Sequence, residues 1–318
     1  MKILTRLESL QKATRPITLA AGFFDGVHRG HRKVIDRAIT AAHATDGEAW
    51  VLTFETHPLK VLLPQMAPPL LTSNDHRMQI LKRTGIDGCL VLSFDPALAE
   101  TSPRVFVRKL CEAVPSLAHI VVGRRWSFGQ GGQGNPRVLA GMARHLGYQL
   151  TVVRPVMHGG LPVSSTRIRS AVKEGTLHEA EVMLGRPFSV LGRVVGGEQR
   201  GRSLGFPTAN IDARNEVLPP VGVYAVYALI GGRTYEGVVN FGRRPTFGGS
   251  GKDRPLLELH VLDTSKHLYG KTVEVFFVSR LRDERRFRSG ESLRKAIEKD
   301  ACMARLRLAE YGALRICR

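Results

Sequence analysis

The stretch GFFDGVHRGH, residues 22–31, stands between a short apolar run and a segment whose apolar residues recur at helical spacing. The run covers residues 17–20, and the helical pattern covers residues 34–42. Apolar strands that lead through glycine-containing turns into helices are typical of parallel α/β sheets. The stretch therefore predicts the first strand, turn and helix of a Rossmann-like domain.

Four further apolar runs continue this pattern toward the middle of the chain. They cover residues 50–54, 89–94, 119–122 and 150–153. Because helix-like stretches separate the runs, we expect a doubly wound parallel sheet. A last helix is predicted over residues 167–184, and it ends before Gly185 and Pro187, which form a typical stop signal.

After residue 187 the pattern changes to short strands joined by tight turns. Strands are predicted over residues 221–227, 235–239, 257–262 and 272–278. Gly231 and Gly232 separate the first two strands and are typical of a β-hairpin. We therefore expect a small antiparallel β-barrel with a closing amphipathic helix over residues 291–311. The helix side chains expected to cover the barrel are Leu293, Ile297, Met303 and Leu306.

The length of the chain supports two domains, because 318 residues exceed what one hydrophobic core usually serves. The predicted fold class is α/β plus β. The predicted domains are residues 1–186, which contain the parallel sheet, and residues 187–318, which contain the barrel.

The composition is strongly basic, with 47 Lys and Arg against 28 Asp and Glu and a formal net charge of +19. Such a charge concentrates anionic partners near the protein. The cations are spread along the chain, and no homeodomain, zinc-finger or RNP signature accompanies them. Nucleic acid and nucleotides both qualify as anionic partners, but an Arg-rich soluble surface is favoured over a nucleic-acid site, so no nucleic-acid partner is expected.

No apolar run reaches the roughly 18 residues of a membrane-spanning helix, and the first eight residues carry charges where a signal peptide is apolar. We therefore expect a cytoplasmic protein without a membrane partner. The four cysteines, Cys89, Cys111, Cys302 and Cys317, are far apart and form no C-x-x-C motif. They are predicted to be reduced, structural thiols.

His28 and His31 stand where the first predicted helix begins. Two imidazoles three residues apart can point the same way, beside backbone N–H groups and the positive end of the helix. Such a place suits a phosphate, and Gly30 leaves no Cβ to keep the phosphate from the backbone. The alternative is that the two histidines only cap the helix.

A second polar cluster precedes the helix predicted from residue 167. Ser164, Ser165 and Thr166 are good capping residues, and Arg167 and Arg169 follow on the first turn. Two arginines at the start of a helix are unfavourable beside the positive end of the macrodipole unless an anion offsets their charge. Pyrophosphate would be such an anion. Plain capping with surface arginines is the alternative.

The predicted barrel contains no G-x-x-x-x-G-K-[ST] motif, so a kinase there needs another way to hold ATP. The glycine-rich residues 192–210 offer one, because glycines let backbone N–H groups approach phosphates. Thr208 and Asn210 place a hydroxyl and an amide oxygen two residues apart, which are ligands suited to Mg²⁺. For the glycines alone, a barrel turn is the alternative.

Together the N-terminal motifs resemble the HxGH nucleotidyltransferases, specifically the adenylyltransferase half of bacterial FAD synthetases. The resemblance implies that His28 and His31 stabilise the ATP phosphates and that Arg169 handles pyrophosphate. It also implies nucleotide contacts by Gly22, Phe24, Asp25, Gly30, Asn135, Ser164, Ser165 and Thr166.

The C-terminal string G-R-x-L-G-F-P-T-A-N, residues 201–210, closely resembles the signature of riboflavin kinases. The resemblance implies that Glu258 acts as the base on the riboflavin 5′-hydroxyl. The other implied site residues are Thr208 and Asn210 for the metal, Gly197, Gly201 and Arg202 for ATP, and Arg282 and Phe287 for the flavin. The expected cofactors are ATP and Mg²⁺ in both steps, with riboflavin, FMN and FAD as substrates or products. The sequence leaves the oligomeric state open.

Arg125 departs from the family pattern, which has a carboxylate at this position. A guanidinium can stack on an aromatic ligand or pair with a phosphate. We therefore expect Arg125 and Trp126 to bind FMN by charge and stacking. The alternative is that Arg125 turns outward into solvent.

Parts of the sequence also fit two other functions. Residues 129–134 fit the G-x-G-x-x-G fingerprint of an NADP-dependent oxidoreductase. They follow the fourth predicted strand instead of the first, and the acidic residue expected about 20 positions later is missing. A flavin-responsive nucleic-acid binder that lost one activity is the other alternative. The retained His28, His31, Thr208, Asn210 and Glu258 argue against such decay.

Overall fold

The computed structural model describes residues 1–196, 205–243, 255–263 and 268–312. The chain divides into two compact units. The first unit contains Met1–Leu70 and Asn74–Ser165, and the second contains Leu71–Ser73 and Thr166–Arg318. The boundary predicted after residue 186 means that a fragment beginning at residue 187 should fold by itself. This stays a prediction.

The first unit is built on a six-stranded parallel sheet. Its strands are β1 (Lys2–Leu4), β2 (Ile17–Ala21), β3 (Glu48–Phe54), β4 (Gly88–Leu92), β5 (Leu117–Gly123) and β6 (Gln149–Val153). The strand order is β1-β4-β3-β2-β5-β6, and all neighbours are parallel. A separate hairpin follows, formed by β7 (Met157–His158) and β8 (Leu161–Pro162). The predicted parallel sheet is confirmed.

Two details of this sheet differ from the prediction. The edge strand β1 was missed because it has only three residues, two of them exposed, and only its pairing with β4 defines it. The strand predicted over residues 89–94 ends at Leu92. Ser93 and Phe94 follow the last residue of the strand and are not part of the sheet.

Helices and buried side chains cover both faces of the parallel sheet. The helices are α1 (Arg29–His43), α2 (Pro58–Leu62), α3 (Asn74–Lys82), α4 (Pro96–Ala99), α5 (Pro103–Ala113) and α6 (Pro136–Leu146). One hydrophobic cluster includes Leu19, Trp50 and Phe106. The other includes Ala20 and Ile35. Because Leu19 and Ala20 are successive residues of β2, the two clusters lie on opposite faces of the sheet.

The single helix predicted over residues 167–184 is wrong, because two helices occupy this segment. They are α7 (Ser165–Glu174) and α8 (Leu177–Leu184). Gly175 interrupts them with a left-handed φ of 80°, a conformation that ends a helix. The predicted stop is confirmed, since Gly185 caps α8 with the same φ.

The second unit contains a closed antiparallel barrel, as predicted. Its strands are β9 (Ser189–Val195), β10 (Ala209–Ala213), β11 (Gly222–Ile230), β12 (Arg233–Arg243), β13 (Pro255–Val261) and β14 (Thr272–Arg282). Their order around the barrel is β10-β13-β12-β11-β14-β9. Gly231 and Gly232 join β11 to β12 with positive φ angles of 56° and 80°, which confirms the hairpin.

The closing helix is present as α9 (Gly290–Tyr311), but part of its predicted covering face is wrong. Met303 and Leu306 are 36% and 56% exposed. The buried positions are Ala296, Asp300, Ala301, Ala304 and Leu308. Small alanine side chains let the helix axis approach the barrel closely, so the longer apolar side chains fall outside the contact.

The described cysteines differ in burial, since Cys89 is buried, Cys111 is half-buried and Cys302 is exposed. Cys89, Cys111 and Cys302 are free, and Cys317 lies outside the described residues. Burial raises the pKa of Cys89 to about 12, so this thiol does not ionise near neutral pH. Within the described ranges, no helix has the length and apolar character needed to cross a membrane.

Candidate functional site

His28 and His31 lie together at the start of α1. Their rings stack with centroids 3.6 Å apart and an interplanar angle of 14°. His28 is the N-cap residue, and its Nδ1 accepts hydrogen bonds from the backbone N–H groups of Gly30 at 3.1 Å and His31 at 3.2 Å. The capping alternative is therefore observed. The expectation that these two amides are open to a phosphate is wrong, because His28 occupies them.

The capping bonds also determine the tautomer of His28. Since Nδ1 accepts two N–H groups, it carries no proton, and the proton of the ring is on Nε2. Burial lowers the pKa of His31 well below its usual value, and the positive charge of Arg77 lowers it further. His28 thus presents its Nε2–H as a donor, and the His31 ring is neutral at neutral pH. Nδ1 of His31 is enclosed and has no hydrogen-bond partner among the described residues.

The loop that leads to these histidines has an unusual backbone. Phe24 and Val27 are buried and take left-handed φ angles of 60° and 39°. A β-branched residue such as valine rarely adopts this region. A Cβ on Gly22 would lie 3.0 Å from the Phe24 ring, and a Cβ on Gly30 would lie 3.0 Å from the His28 ring. Both glycines therefore leave room for site side chains, besides any contact with a nucleotide.

The serine cluster is tied to the same loop. Ser165 Oγ donates a hydrogen bond of 3.0 Å to the backbone oxygen of Asp25, a residue that is 3% exposed. Ser164 is half-buried beside it in the chain. Thr166 and Arg169 follow on the first turn of α7 in the second unit, where the guanidinium donates to Thr166 Oγ1 at 3.5 Å.

The segment after β5 has a structural reason for its glycines. A Cβ on Gly134 would lie 2.6 Å from the backbone oxygen of Phe128, and one on Gly129 would lie 2.8 Å from Pro103. Together with the left-handed φ of 60° at Gly131, these contacts explain the G-x-G-x-x-G spacing without a dinucleotide. Asn135 then caps α6, with its Oδ1 accepting from the backbone N–H groups of Arg137 and Val138.

Arg125 and Trp126 follow the end of β5. Arg125 is exposed. Trp126 is half-buried and stacks on Phe128, with ring centroids 4.5 Å apart and an interplanar angle of 18°. Phe128 therefore covers one face of the indole, and the exposed Arg125 precedes Trp126 in the chain.

Glu258 occupies the centre of a polar row across three barrel strands. It is the register partner of Asn210 on β10 and of Asn240 on β12. Side chains of directly paired residues share a face of the sheet. Glu258 is half-buried, and Asn210 is 8% exposed. The amide oxygen of Asn210 is buried without a hydrogen-bond partner in the described part of the chain.

Thr208 is exposed and lies just before β10. The segment before it is anchored to β13, because His260 Nδ1 lies 2.9 Å from the backbone oxygen of Pro207. His260 also meets the ring of Phe206 edge-on at 5.5 Å. Because His260 and Glu258 both lie on β13, this contact keeps the candidate metal ligands Thr208 and Asn210 near the Glu258 carboxylate. Gly197, Gly201 and Arg202 lie outside the described residues.

Arg282 and Phe287 are brought together after β14. The guanidinium carbon of Arg282 lies 5.6 Å from the centroid of the Phe287 ring, and that of Arg285 lies 4.9 Å from it. Arg282 also binds both carboxylate oxygens of the buried Asp300 on α9, with its shortest contact at 2.7 Å. The Asp300 carboxylate therefore binds one edge of the Arg282 guanidinium and fixes the orientation of that side chain.

Sequence reasoning did not single out Arg77, Asn240 or Asp300. Arg77 is 2% exposed and contacts the loop that carries the histidines. Asn240 is the register partner of Glu258, and Asp300 on α9 accepts hydrogen bonds from Arg282. None of these three belongs to a contiguous motif, and each stands far along the chain from the residue that it contacts.

Two family models match the chain. The model for FAD synthetase matches residues 10–167, and the model for riboflavin kinase matches residues 184–308. The first contains the histidine pair, and the second contains the row of Asn210, Glu258 and Asn240.

Full-length relatives contain both parts in the same order. The bifunctional riboflavin kinase/FMN adenylyltransferase of Escherichia coli (strain K12) is 35% identical over 307 residues, which cover 96% of this chain and 97% of that protein. The protein of the same description from Bacillus subtilis (strain 168) is 34% identical over 288 residues, with 89% of each chain covered.

One solved structure shares the fold along nearly the whole chain. It is described as a macrolide-efflux protein from Streptococcus pneumoniae and is 27% identical, with a TM-score of 0.81. The alignment covers 95% of this chain and 98% of that chain. The likeness concerns the fold.

Proposed function

This chain belongs to the family of bifunctional riboflavin kinase/FMN adenylyltransferases, and we propose that it makes FAD in two ATP-dependent steps. The first step transfers the γ-phosphoryl group of ATP to riboflavin, which gives FMN and ADP. The second joins the AMP part of ATP to FMN, which gives FAD and pyrophosphate. The observation that carries the proposal is that one chain matches both family models and retains a separate polar constellation in each matched part.

In the adenylylation step, a phosphate oxygen of FMN attacks the α-phosphate of ATP and pyrophosphate leaves. Negative charge grows on the α-phosphate oxygens, and donors fixed in advance stabilise it. The Nε2–H of His28 is such a donor, because the capping bonds orient the ring before substrate binds. The neutral His31 ring stacked on it supplies a second. Arg169 is proposed to bind the departing pyrophosphate.

In the kinase step, Glu258 is proposed to accept the proton of the riboflavin 5′-hydroxyl as its oxygen attacks the γ-phosphate. Asn210 and Thr208 would hold Mg²⁺, which when bound neutralises charge on the phosphates. The buried, unpartnered amide oxygen of Asn210 supports this assignment, since a buried acceptor without a partner is costly. Arg282 and Phe287 are proposed to contact the flavin, with Gly197, Gly201 and Arg202 at the nucleotide.

The proposal is tested by incubating the whole chain with riboflavin, ATP and Mg²⁺ and separating the flavins by chromatography over time. We expect FMN to appear first and FAD to follow. Omission of ATP should stop both products, and chelation of Mg²⁺ should do the same. Formation of neither product under the complete conditions contradicts the proposal.

The proposed partners are flavins and ATP, and the proposed location is the cytoplasm. The proposed domain boundary lies between residues 186 and 187, and truncation tests it. Residues 187–318 are expected to fold and to phosphorylate riboflavin. They are also expected to be less stable than residues 166–318, because Tyr311 donates a hydrogen bond to Glu181 on α8, which only the longer fragment contains.

Thermal unfolding and kinase assays on both fragments check this expectation. Both fragments lack Leu71, so each loses the hydrogen bond of 2.7 Å from Asn215 to the Leu71 backbone oxygen, worth about 0.5–1.5 kcal/mol, while Asn215 keeps its longer bond to Ser189. Only the shorter fragment also lacks α8. A soluble, folded fragment 187–318 without kinase activity would mean that residues before 187 complete the kinase site.

Arg125 is expected to bind FMN in the adenylylation step. Arg125→Asp should raise the KM for FMN by roughly tenfold, which corresponds to about 1.4 kcal/mol of lost binding, because a guanidinium beside a phosphate becomes a repelling carboxylate. The kinase step should not change. Arg124→Asp is the matched control, since it makes the same charge change at the neighbouring exposed position. An unaltered or lower KM in Arg125→Asp would support the outward-facing alternative.

A further inference from the structure

Arg77 is a buried cation that neither proposed step uses. It lies on α3 and is 2% exposed. Its Nη1 donates a hydrogen bond of 3.0 Å to the backbone oxygen of Phe23, and its Nη2 donates to the backbone oxygen of Phe54 and, at 2.8 Å, to Asn74 Oδ1. The guanidinium also covers the Phe23 ring, 4.3 Å from the centroid.

These contacts join the carboxyl ends of two neighbouring strands. Phe54 is the last residue of β3, and Phe23 follows β2 just before the loop that leads to His28. In open parallel sheets, ligands bind beyond the carboxyl ends of the strands. Thr53 Oγ1 donates to the same Phe23 oxygen at 3.0 Å, so two buried donors fix one carbonyl at the entrance of the loop.

The loop needs such fixing. Phe24 and Val27 hold left-handed backbone angles that cost on the order of 1–3 kcal/mol each in a non-glycine residue. Such angles persist only where the surrounding contacts determine them. Arg77 and Thr53 fix the loop at its first carbonyl, and Ser165 fixes it at Asp25.

Stability alone is a poor reason to bury a guanidinium, because an apolar side chain of similar volume costs less to desolvate. Burial lowers the pKa of Arg77 to about 10, while the charge of Asp25 raises it, so the side chain stays charged at neutral pH. That charge also acts on the half-buried His31. A permanent positive charge near a phosphate-binding site has a use that an apolar residue cannot replace.

We propose that Arg77 is a positioning residue of the adenylylation site. Its guanidinium fixes residues 23–28 in the conformation that aims the histidines, and its positive charge favours the phosphates bound beside them. The inference rests on the proposed adenylylation function.

The test compares Arg77→Met and Arg77→Lys with wild type in the whole chain, with Lys82→Met as control. Lys82 is exposed on the same helix, so its replacement removes the same charge without touching the loop. Arg77→Met should lower kcat for FMN adenylylation on the order of 10- to 100-fold, as misplaced catalytic groups do. The KM for FMN should stay within about twofold. Arg77→Lys should recover part of kcat, because lysine restores the positive charge but not the planar set of N–H donors.

The pH profile gives a readout that a purely structural residue would not move. The charged and titratable groups that act on His31 are His28 and Arg77, and those that act on Arg77 are Asp25 and Cys89. Removing the positive charge of Arg77 raises the pKa of His31, so protonation of His31 occurs at higher pH. The acid limb of kcat/KM should therefore move to higher pH in Arg77→Met and not in Lys82→Met.

Wild type in the same assay separates the possible failures. If wild type forms no FAD, the proposed function fails. If wild type forms FAD and a folded Arg77→Met variant does so with the same kcat and pH profile, the inference about Arg77 is overturned. Should Arg77→Met not fold, Arg77→Lys decides, because an ammonium cannot reproduce the forked contacts. An unchanged kcat in that variant overturns the inference.

Discussion

Replacing both His28 and His31 with alanine is expected to abolish the conversion of FMN to FAD while riboflavin phosphorylation continues. Each fixed donor removed from a site of developing charge costs on the order of 100- to 1000-fold in rate. The two rings are stacked in one pair, so the double variant removes the whole donor set. Separation of flavin products from riboflavin and from supplied FMN measures the two steps independently.

The capping role of His28 calls for a control. Loss of an N-cap costs about 0.5–2 kcal/mol of stability, and a destabilised α1 could lower activity without any role in the reaction. Serine is a good N-cap without an imidazole, so His28→Ser separates the two effects. We expect His28→Ser to be as stable as wild type and to remain strongly impaired in adenylylation. Full activity in this variant, or equal loss of both steps in the double variant, would contradict the assignment.

The second large effect is expected for Glu258→Gln, which should suppress riboflavin phosphorylation and spare adenylylation of supplied FMN. Glutamine has nearly the same shape but cannot accept the proton of the attacking hydroxyl, and general-base catalysis contributes on the order of 100- to 10,000-fold. Rates of FMN formation at saturating riboflavin and ATP give the loss in kcat directly.

The matched control is Glu298→Gln on α9. Glu298 is exposed and pairs with Arg294 four residues earlier, so its replacement removes a carboxylate without approaching the polar row. A kinase rate in Glu258→Gln equal to that of Glu298→Gln would remove Glu258 from the mechanism. Asn240, the other register partner of Glu258, would then be the first residue to test on the same face.

Much of the fold was predictable because its signals are local. The apolar runs of β2, β3, β5 and β6, the hairpin at Gly231 and Gly232, and the stop at Gly185 each depend on residues within a short window. The histidine pair was predictable for the same reason, since three positions separate its members. Local steric and hydrogen-bonding preferences decide these features before distant residues meet.

The buried face of α9 was not predictable in this way. Hydrophobicity favours Met303 and Leu306 for the covering face, yet Ala301 and Ala304 are buried and the larger side chains are exposed. The distance between the helix and the barrel determines which side chains fit there. The apolar repeat along the helix does not predict that distance. The break at Gly175 was missed because a glycine inside a helical pattern is often tolerated.

The amino-acid sequence by itself determined the two kinds of sheet, the turn that holds the histidines and the identity of the chemistry-bearing residues. Only the tertiary structure decided that Glu258 is paired with Asn210 and Asn240, and that a guanidinium on α3 fixes the loop before His28. A charged helical residue such as Arg77 is ordinarily expected in solvent. Its burial depends on backbone oxygens that the ends of β2 and β3 present together, and only the folded sheet brings those oxygens within reach of one side chain.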